Sequence, residues 1–299
     1  MAVYERSYRR YEGPLMGGWR TTMALARYTY EDMRRSRILT PVLYGGFLYP
    51  LFCLLTIYLR NNVGALNIAG LRPDELISIN YNFFYVYMGI QGLVAFVVAA
   101  LAGPGLIAPD LANRALASIL ARPITKTSYV LGRMIPLAGI LSAITWIPGL
   151  ALVAVQAVQG ESGWLQEYWR VPFAILFGNV IWVGILSLMA MALSAWVRWK
   201  PVAGGLMFVI FFMLSAIGGL LNAILDIRWG NLLNLPTLVA TVWTWLMEGQ
   251  PLGDSGFGIF SVYRGQEIPV WMAVTAILLF CGICLRLLST RIRGTEVIG

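Results

Sequence analysis

Six runs of apolar residues, separated by shorter polar connections, fill most of the 299-residue chain. They cover residues 38–59, 83–106, 129–158, 172–197, 202–221 and 269–289, and none of them contains an acidic residue. A helix rises about 1.5 Å per residue, so about 20 apolar residues cross the hydrocarbon core of a bilayer. The pattern predicts an all-α polytopic membrane protein with six transmembrane helices.

Three shorter patterns lie between or before these runs. Trp19, Met23, Ala26, Tyr30 and Met33 repeat at helical spacing, and Arg20, Arg27 and Arg34 recur every seven residues beside them. This predicts an amphipathic helix lying in the headgroup layer, with its apolar stripe down and its guanidiniums toward lipid phosphate. A solvated helix packed on a neighbouring protein is the other reading of the same wheel. Between the second and third runs, Pro109 and Asp110 open a short helix that Pro123 stops. Its apolar side carries Leu111, Leu116, Ile119 and Leu120, and its polar side Asn113, Arg114 and Arg122. Fixed at both ends to spans, a helix over 109–122 is suited to a mechanical contact with a partner. Before the last run, residues 235–248 are apolar but too few to cross. They predict a re-entrant or interfacial helix, with Trp243 and Trp245 in the headgroup zone and Leu235, Trp243 and Trp245 as an outer gate.

Charge sets the orientation. With the N-terminus inside, 17 of the 22 Lys and Arg fall on inside segments and 5 outside. That bias predicts cytoplasmic termini. It divides the chain into a cytoplasmic segment over 1–37, a membrane domain over 38–289 with an outside segment at 222–268, and a tail over 290–299. No small-residue cleavage site follows the first run, so the reading includes no removable signal peptide. The anionic inner surface of the membrane accounts for the pI of about 9.6, and no nucleic acid is needed as a partner.

The chain has no His, and its three Cys (Cys53, Cys281 and Cys284) lie in predicted spans. Cys281 and Cys284 share a helical face, yet a structural zinc usually takes four ligands. Small-residue packing is the favoured reading, with no metal and no catalytic residue assigned. No carboxylate pair lies within a span, which disfavours an integral-membrane enzyme and a proton relay. Gln91 and Asn179 are the main amides within spans, read as interhelical hydrogen bonds or pore lining. Arg133 and Arg286 lie near span ends, where they can snorkel. Small residues four apart, at Ala95, Ala99 and Gly103 and again at Ser215 and Gly219, read as packing seams, the second a candidate subunit interface.

The run Asp110, Ala115-Leu116, Leu120-Ala121-Arg122-Pro123-Ile124 and Tyr129-Val130-Leu131-Gly132-Arg133 resembles the signature of type 2 ABC exporter permeases. This chain departs from it in Asn113-Arg114 and in Arg133, where many members carry an acidic residue with Gly, and Lys. The resemblance implies a permease that dimerises with itself or a related subunit in a bacterial or archaeal cytoplasmic (inner) membrane. It also implies that residues 109–122 contact a separate ATPase. A phosphate-binding loop needs Gly-x-x-x-x-Gly-Lys-Ser/Thr, and the only Lys-Thr here, Lys126-Thr127, lacks both glycines. ATP and magnesium are therefore expected on the partner, and no cofactor on this chain. The apolar spans favour a hydrophobic or amphiphilic cargo. A non-transporting scaffold or anchor subunit of the same fold is the alternative.

Overall fold

The computed structural model describes residues 18–62, 78–113, 125–197, 199–225, 228–247, 260 and 268–291. Within these, six helical stretches are long and apolar enough to cross a membrane: Leu39–Asn61, Tyr81–Asp110, Lys126–Gln159, Arg170–Trp196, Pro201–Leu225 and Val270–Arg291. Each lies within a few residues of an apolar run in the sequence. The chain is an all-α polytopic membrane protein.

In chain order the helices are α1 (Gly18–Arg34), α2 (Leu39–Gly46), α3 (Leu48–Asn61), α4 (Tyr81–Ala102), α5 (Ala108–Ala112), α6 (Lys126–Ile144), α7 (Trp146–Gln159), α8 (Trp164–Glu167), α9 (Arg170–Trp196), α10 (Lys200–Leu225), α11 (Leu235–Met247) and α12 (Val270–Arg291). The first span is α2 and α3, and the third is α6 and α7. We call the end of the bundle that carries α1 its base.

The second and fourth spans form the centre, with 67% and 61% of their most apolar stretch buried, against 17% for each of the fifth and sixth. Helix α9 packs on α4, α6, α7, α10, α11 and α12. At its core Trp182 donates from Nε1 to the Gly92 carbonyl at 2.9 Å. Gly92 and Gly178 leave room for Trp243: a Cβ on Gly178 would come within 2.7 Å of that indole. Phe260 stacks on Trp243 at 5.1 Å between ring centroids, and Tyr85 donates its hydroxyl to the Phe260 carbonyl at 2.8 Å.

The first and third spans are each interrupted, for the same covalent reason. Proline has no N–H to give to the carbonyl four residues back. Pro50 thus frees the Gly46 carbonyl and Pro148 the Ile144 carbonyl. Helix α2 ends at Gly46, and α6 ends at Ile144 with Thr145 at φ −103 and ψ −87.

Candidate functional site

At the base, the second span turns into α5 through Gly103-Pro-Gly, a 3₁₀ turn. Gly103 lies so close to Ala190 of α9 that a Cβ there would overlap it. One turn further along α9, the Ser194 hydroxyl accepts from the backbone N–H groups of Ile107 and Ala108, each at 2.9 Å, and donates to the Pro104 carbonyl at 3.1 Å. The side chain of one span thereby satisfies the open backbone donors that lead into the next element, as buried N–H groups require.

Asp110, in the first turn of α5, is held from two sides by α6. Tyr129 donates its hydroxyl to Asp110 Oδ2 at 2.6 Å, and Arg133 Nη2 pairs with the same oxygen. Tyr129 and Arg133 are four residues apart on α6, hence on one face. Arg133 reaches onward, donating from Nη1 to Thr29 Oγ1 of α1 at 3.2 Å, and its guanidinium sits 5.8 Å above the Tyr129 ring. Helix α1 is seated where it can receive this bond because residue 132 is Gly, where a Cβ would press on Leu25 Cδ2 at 2.9 Å. Thr125 caps the start of α6 by accepting from Ser128 N–H at 3.1 Å. The result is a buried strut that ties α1, the head of the connecting segment and the third span together. It offers charge and rigidity, with no nucleophile or acid-base pair.

The sequence-based assignments divide at this junction. Asp110, expected to face a partner, turns its carboxylate into the bundle. Arg133, expected to snorkel, is buried at 7% exposure and paired; the correction has a plain cause, since a carboxylate within reach is a better partner in a dry site than distant water. Asn113 is exposed. Leu111 lies in α5, with its side chain outside the described residues. Arg114, Leu116, Ile119, Leu120 and Arg122 also lie outside them, so the expected 109–122 helix is described only over Ala108–Ala112.

The α1 stripe also divides. Ala26 and Met33 are buried with Thr22 and Thr29, whereas Trp19, Met23 and Tyr30 face outward at 63%, 43% and 46% exposure. Arg20, Arg27 and Arg34 are exposed too, and Arg27 pairs with Glu31 at 3.2 Å. The docking face is small and partly polar because it must fit Gly132 and the Arg133 guanidinium, while the aromatic residues are left outside. Small side chains spaced like Thr22, Ala26 and Thr29 were the available signal for it.

Gln91 occupies a second polar site, higher in the bundle. Its Nε2 donates to the Gly46 carbonyl at 3.1 Å and to the Ile144 carbonyl at 2.8 Å. These are the two acceptors that Pro50 and Pro148 set free. Tyr87, one turn earlier, donates its hydroxyl to the adjacent Thr145 carbonyl at 2.8 Å, and its ring lies where a Cβ on Gly149 would sit. Gln91 is thus an interhelical clamp. Asn179 is fully buried and bonds within its own helix, to the Ile175 carbonyl at 2.8 Å.

Helix α11 corrects the reading of the aromatic pair. Trp243 is fully buried among Tyr85, Trp182 and Phe260, Leu235 is buried at the start of α11, and Trp245 is 55% exposed. Residues two apart on a helix point about 200° apart, so one belt cannot hold both. The second seam divides: Ser215 donates to Asn234 Oδ1 of its own chain at 3.0 Å, while Gly219 is exposed and faces open space. Ala95, Ala99 and Gly103 are buried. Among the described residues no three His, Cys, Asp or Glu side chains come together as metal ligands.

Six helices of membrane-crossing length around a buried core, with a polar strut at one end, define a polytopic membrane protein. A family model described as ABC-2 family transporter protein matches residues 23–249, from α1 through α11, and the chain belongs to that family. No curated protein matches the chain.

Proposed function

We propose that the chain is the permease subunit of an ATP-driven exporter whose energy comes from a separate ATPase docked at the base. The observation that carries this reading is the strut. Asp110, Tyr129, Arg133 and Thr29 join the start of the connecting segment to the third span and to α1. A displacement applied to the connecting segment would therefore pass to the third span, which a flexible loop would not transmit. In this reading the base faces the cytoplasm of a bacterial or archaeal inner membrane, both termini are cytoplasmic, and α1 rests at the membrane surface. The conducting unit is a dimer with itself or a related permease. ATP and magnesium are bound by the partner, and the cargo is hydrophobic or amphiphilic.

The test is a crosslink. Asn113 is exposed at the end of α5, and Asn113→Cys should react with an ATPase subunit that co-purifies with the chain in mild detergent. Leu116→Glu or Leu120→Glu should abolish that crosslink while all six spans still insert, because a contact of this kind depends on apolar anchors. Failure to crosslink in any nucleotide state, with assembly untouched by the charged substitutions, would return the chain to the role of a non-transporting anchor.

A further inference from the structure

We propose that the groove between α1, α2 and α6 is a binding site for one anionic phospholipid of the surrounding leaflet, with an acyl chain in the groove and the phosphate against Arg27 and Arg34. The groove encloses about 610 Å³. Its walls are apolar: Tyr30 from α1, Leu43 from α2, Phe47 between α2 and α3, and Pro136, Gly139 and Ile144 from α6. At its edge stand Arg27 and Arg34, seven residues apart on one flank of α1.

Length, charge and surface chemistry agree on this occupant. Helix α6 lines the groove from Ile135 to Ile144, about 13 Å at about 1.5 Å per residue. One leaflet offers about 15 Å of hydrocarbon, half of a core about 30 Å thick. The inner end of the groove is formed by Phe47, Ala143 and Ile144, where the first and third spans are interrupted, and its mouth is on α1. A chain entering at the headgroup level would thus be accommodated to about the depth of its own leaflet. The mouth is cationic overall. Arg27 shares its charge with Glu31, while Arg34 has no acidic partner among the described residues. An amphiphile with a phosphate and an acyl chain is complementary to both parts. Gly139 forms part of the floor, and a Cβ there would meet nothing within 4 Å, so the space beside it is open for a tail.

The proposal rests on α1 lying at the membrane surface, and the test separates the two. The purified protein in mild detergent is given equimolar phosphatidylglycerol and phosphatidylcholine and weighed by native mass spectrometry. Phosphatidylglycerol should be retained preferentially. Arg27→Ala with Arg34→Ala should reduce its retention by roughly tenfold or more, since each arginine near an anionic lipid is worth about fivefold in affinity and Arg27 shares part of its charge with Glu31. Gly139→Leu should fill the floor and remove the bound lipid with no loss of melting temperature in lipid-free detergent, because the position has free space and Leu favours the helix more than Gly does. Equal retention of the two lipids, or retention unchanged in Gly139→Leu or in the double arginine variant, overturns the proposal. A spin label at Trp19→Cys, with Cys53, Cys281 and Cys284 changed to Ser, reports the depth of α1. A label at headgroup depth alongside failed lipid retention sinks the groove alone, while a label in bulk water sinks the surface reading of α1 and the groove with it.

Discussion

The strut and the clamp, two of the polar constellations among the described residues, are built from opposite materials. The strut at the base uses full charges, Asp110 against Arg133, supported by Tyr129 and Thr29. The clamp higher up uses only neutral groups, Gln91 and Tyr87, to satisfy backbone carbonyls that prolines have freed. Desolvating an ion is much more expensive than desolvating an amide, so the charged site stands at the end of the bundle, where partial exposure of Asp110 lowers that cost. The neutral site lies where backbone carbonyls would otherwise be buried in the protein without a donor. The difference also assigns tasks. The clamp satisfies carbonyls within the spans it sits between, whereas the strut joins α1, the head of the connecting segment and the third span.

That contrast can be broken most severely at Arg133. Arg133→Ala leaves the half-buried Asp110 without its cation, a change that costs up to about 3–5 kcal/mol where the remaining charge is fully buried. Thermal unfolding in detergent should show a large loss, and Asp110→Asn together with Arg133→Met should recover much of it, because matched neutral groups avoid the unpaired charge. A recovery no better than either single change would mean that the pair is not the source of the loss.

Gln91→Leu is the next largest, at about 1–2 kcal/mol for two acceptors left without a donor. Its cause can be isolated. Pro50→Ala with Pro148→Ala restores the missing N–H groups, and in that background Gln91→Leu should cost close to nothing. A cost that persists there would show that Gln91 serves some purpose other than the proline-freed carbonyls. Ser194→Ala, which removes one acceptor shared by two N–H groups, should cost about 1 kcal/mol and raise hydrogen exchange at Ile107 and Ala108 specifically. The smallest effect belongs to Arg27→Ala, whose exposed pair with Glu31 contributes at most about 0.5 kcal/mol; unfolding should move little, whatever happens to lipid binding.

Most of the fold can be read along the chain because a span is a local property of composition and length. The six crossings fall within a few residues of the apolar runs for that reason. The apolar runs continue through Pro50 and Pro148, so composition predicts neither the interruptions nor their repair, since Gln91 lies 45 residues from Gly46 and 53 from Ile144. At the base, Asp110 and Arg133 stood out as types, yet spacing could not pair them across 23 residues, so one was given to a partner and the other to water. Trp243 was misplaced because an aromatic residue suits both a headgroup belt and a core. Only the cavity left by Gly92 and Gly178 decides for the core. On α1 the large side chains Trp19, Met23 and Tyr30 form the evident stripe, whereas the docking face is marked only by the small Thr22, Ala26 and Thr29.

The central claim is that the strut transmits motion between the base and the third span. The direct measurement is ATP hydrolysis by the assembled complex in liposomes, with Asp110→Asn/Arg133→Met set beside Gln91→Leu at a temperature where both remain folded. The account predicts that the strut variant binds its ATPase but loses the stimulation of hydrolysis that the permease confers, while the clamp variant keeps it. Retained stimulation in the strut variant, or an equal loss in both, would contradict it.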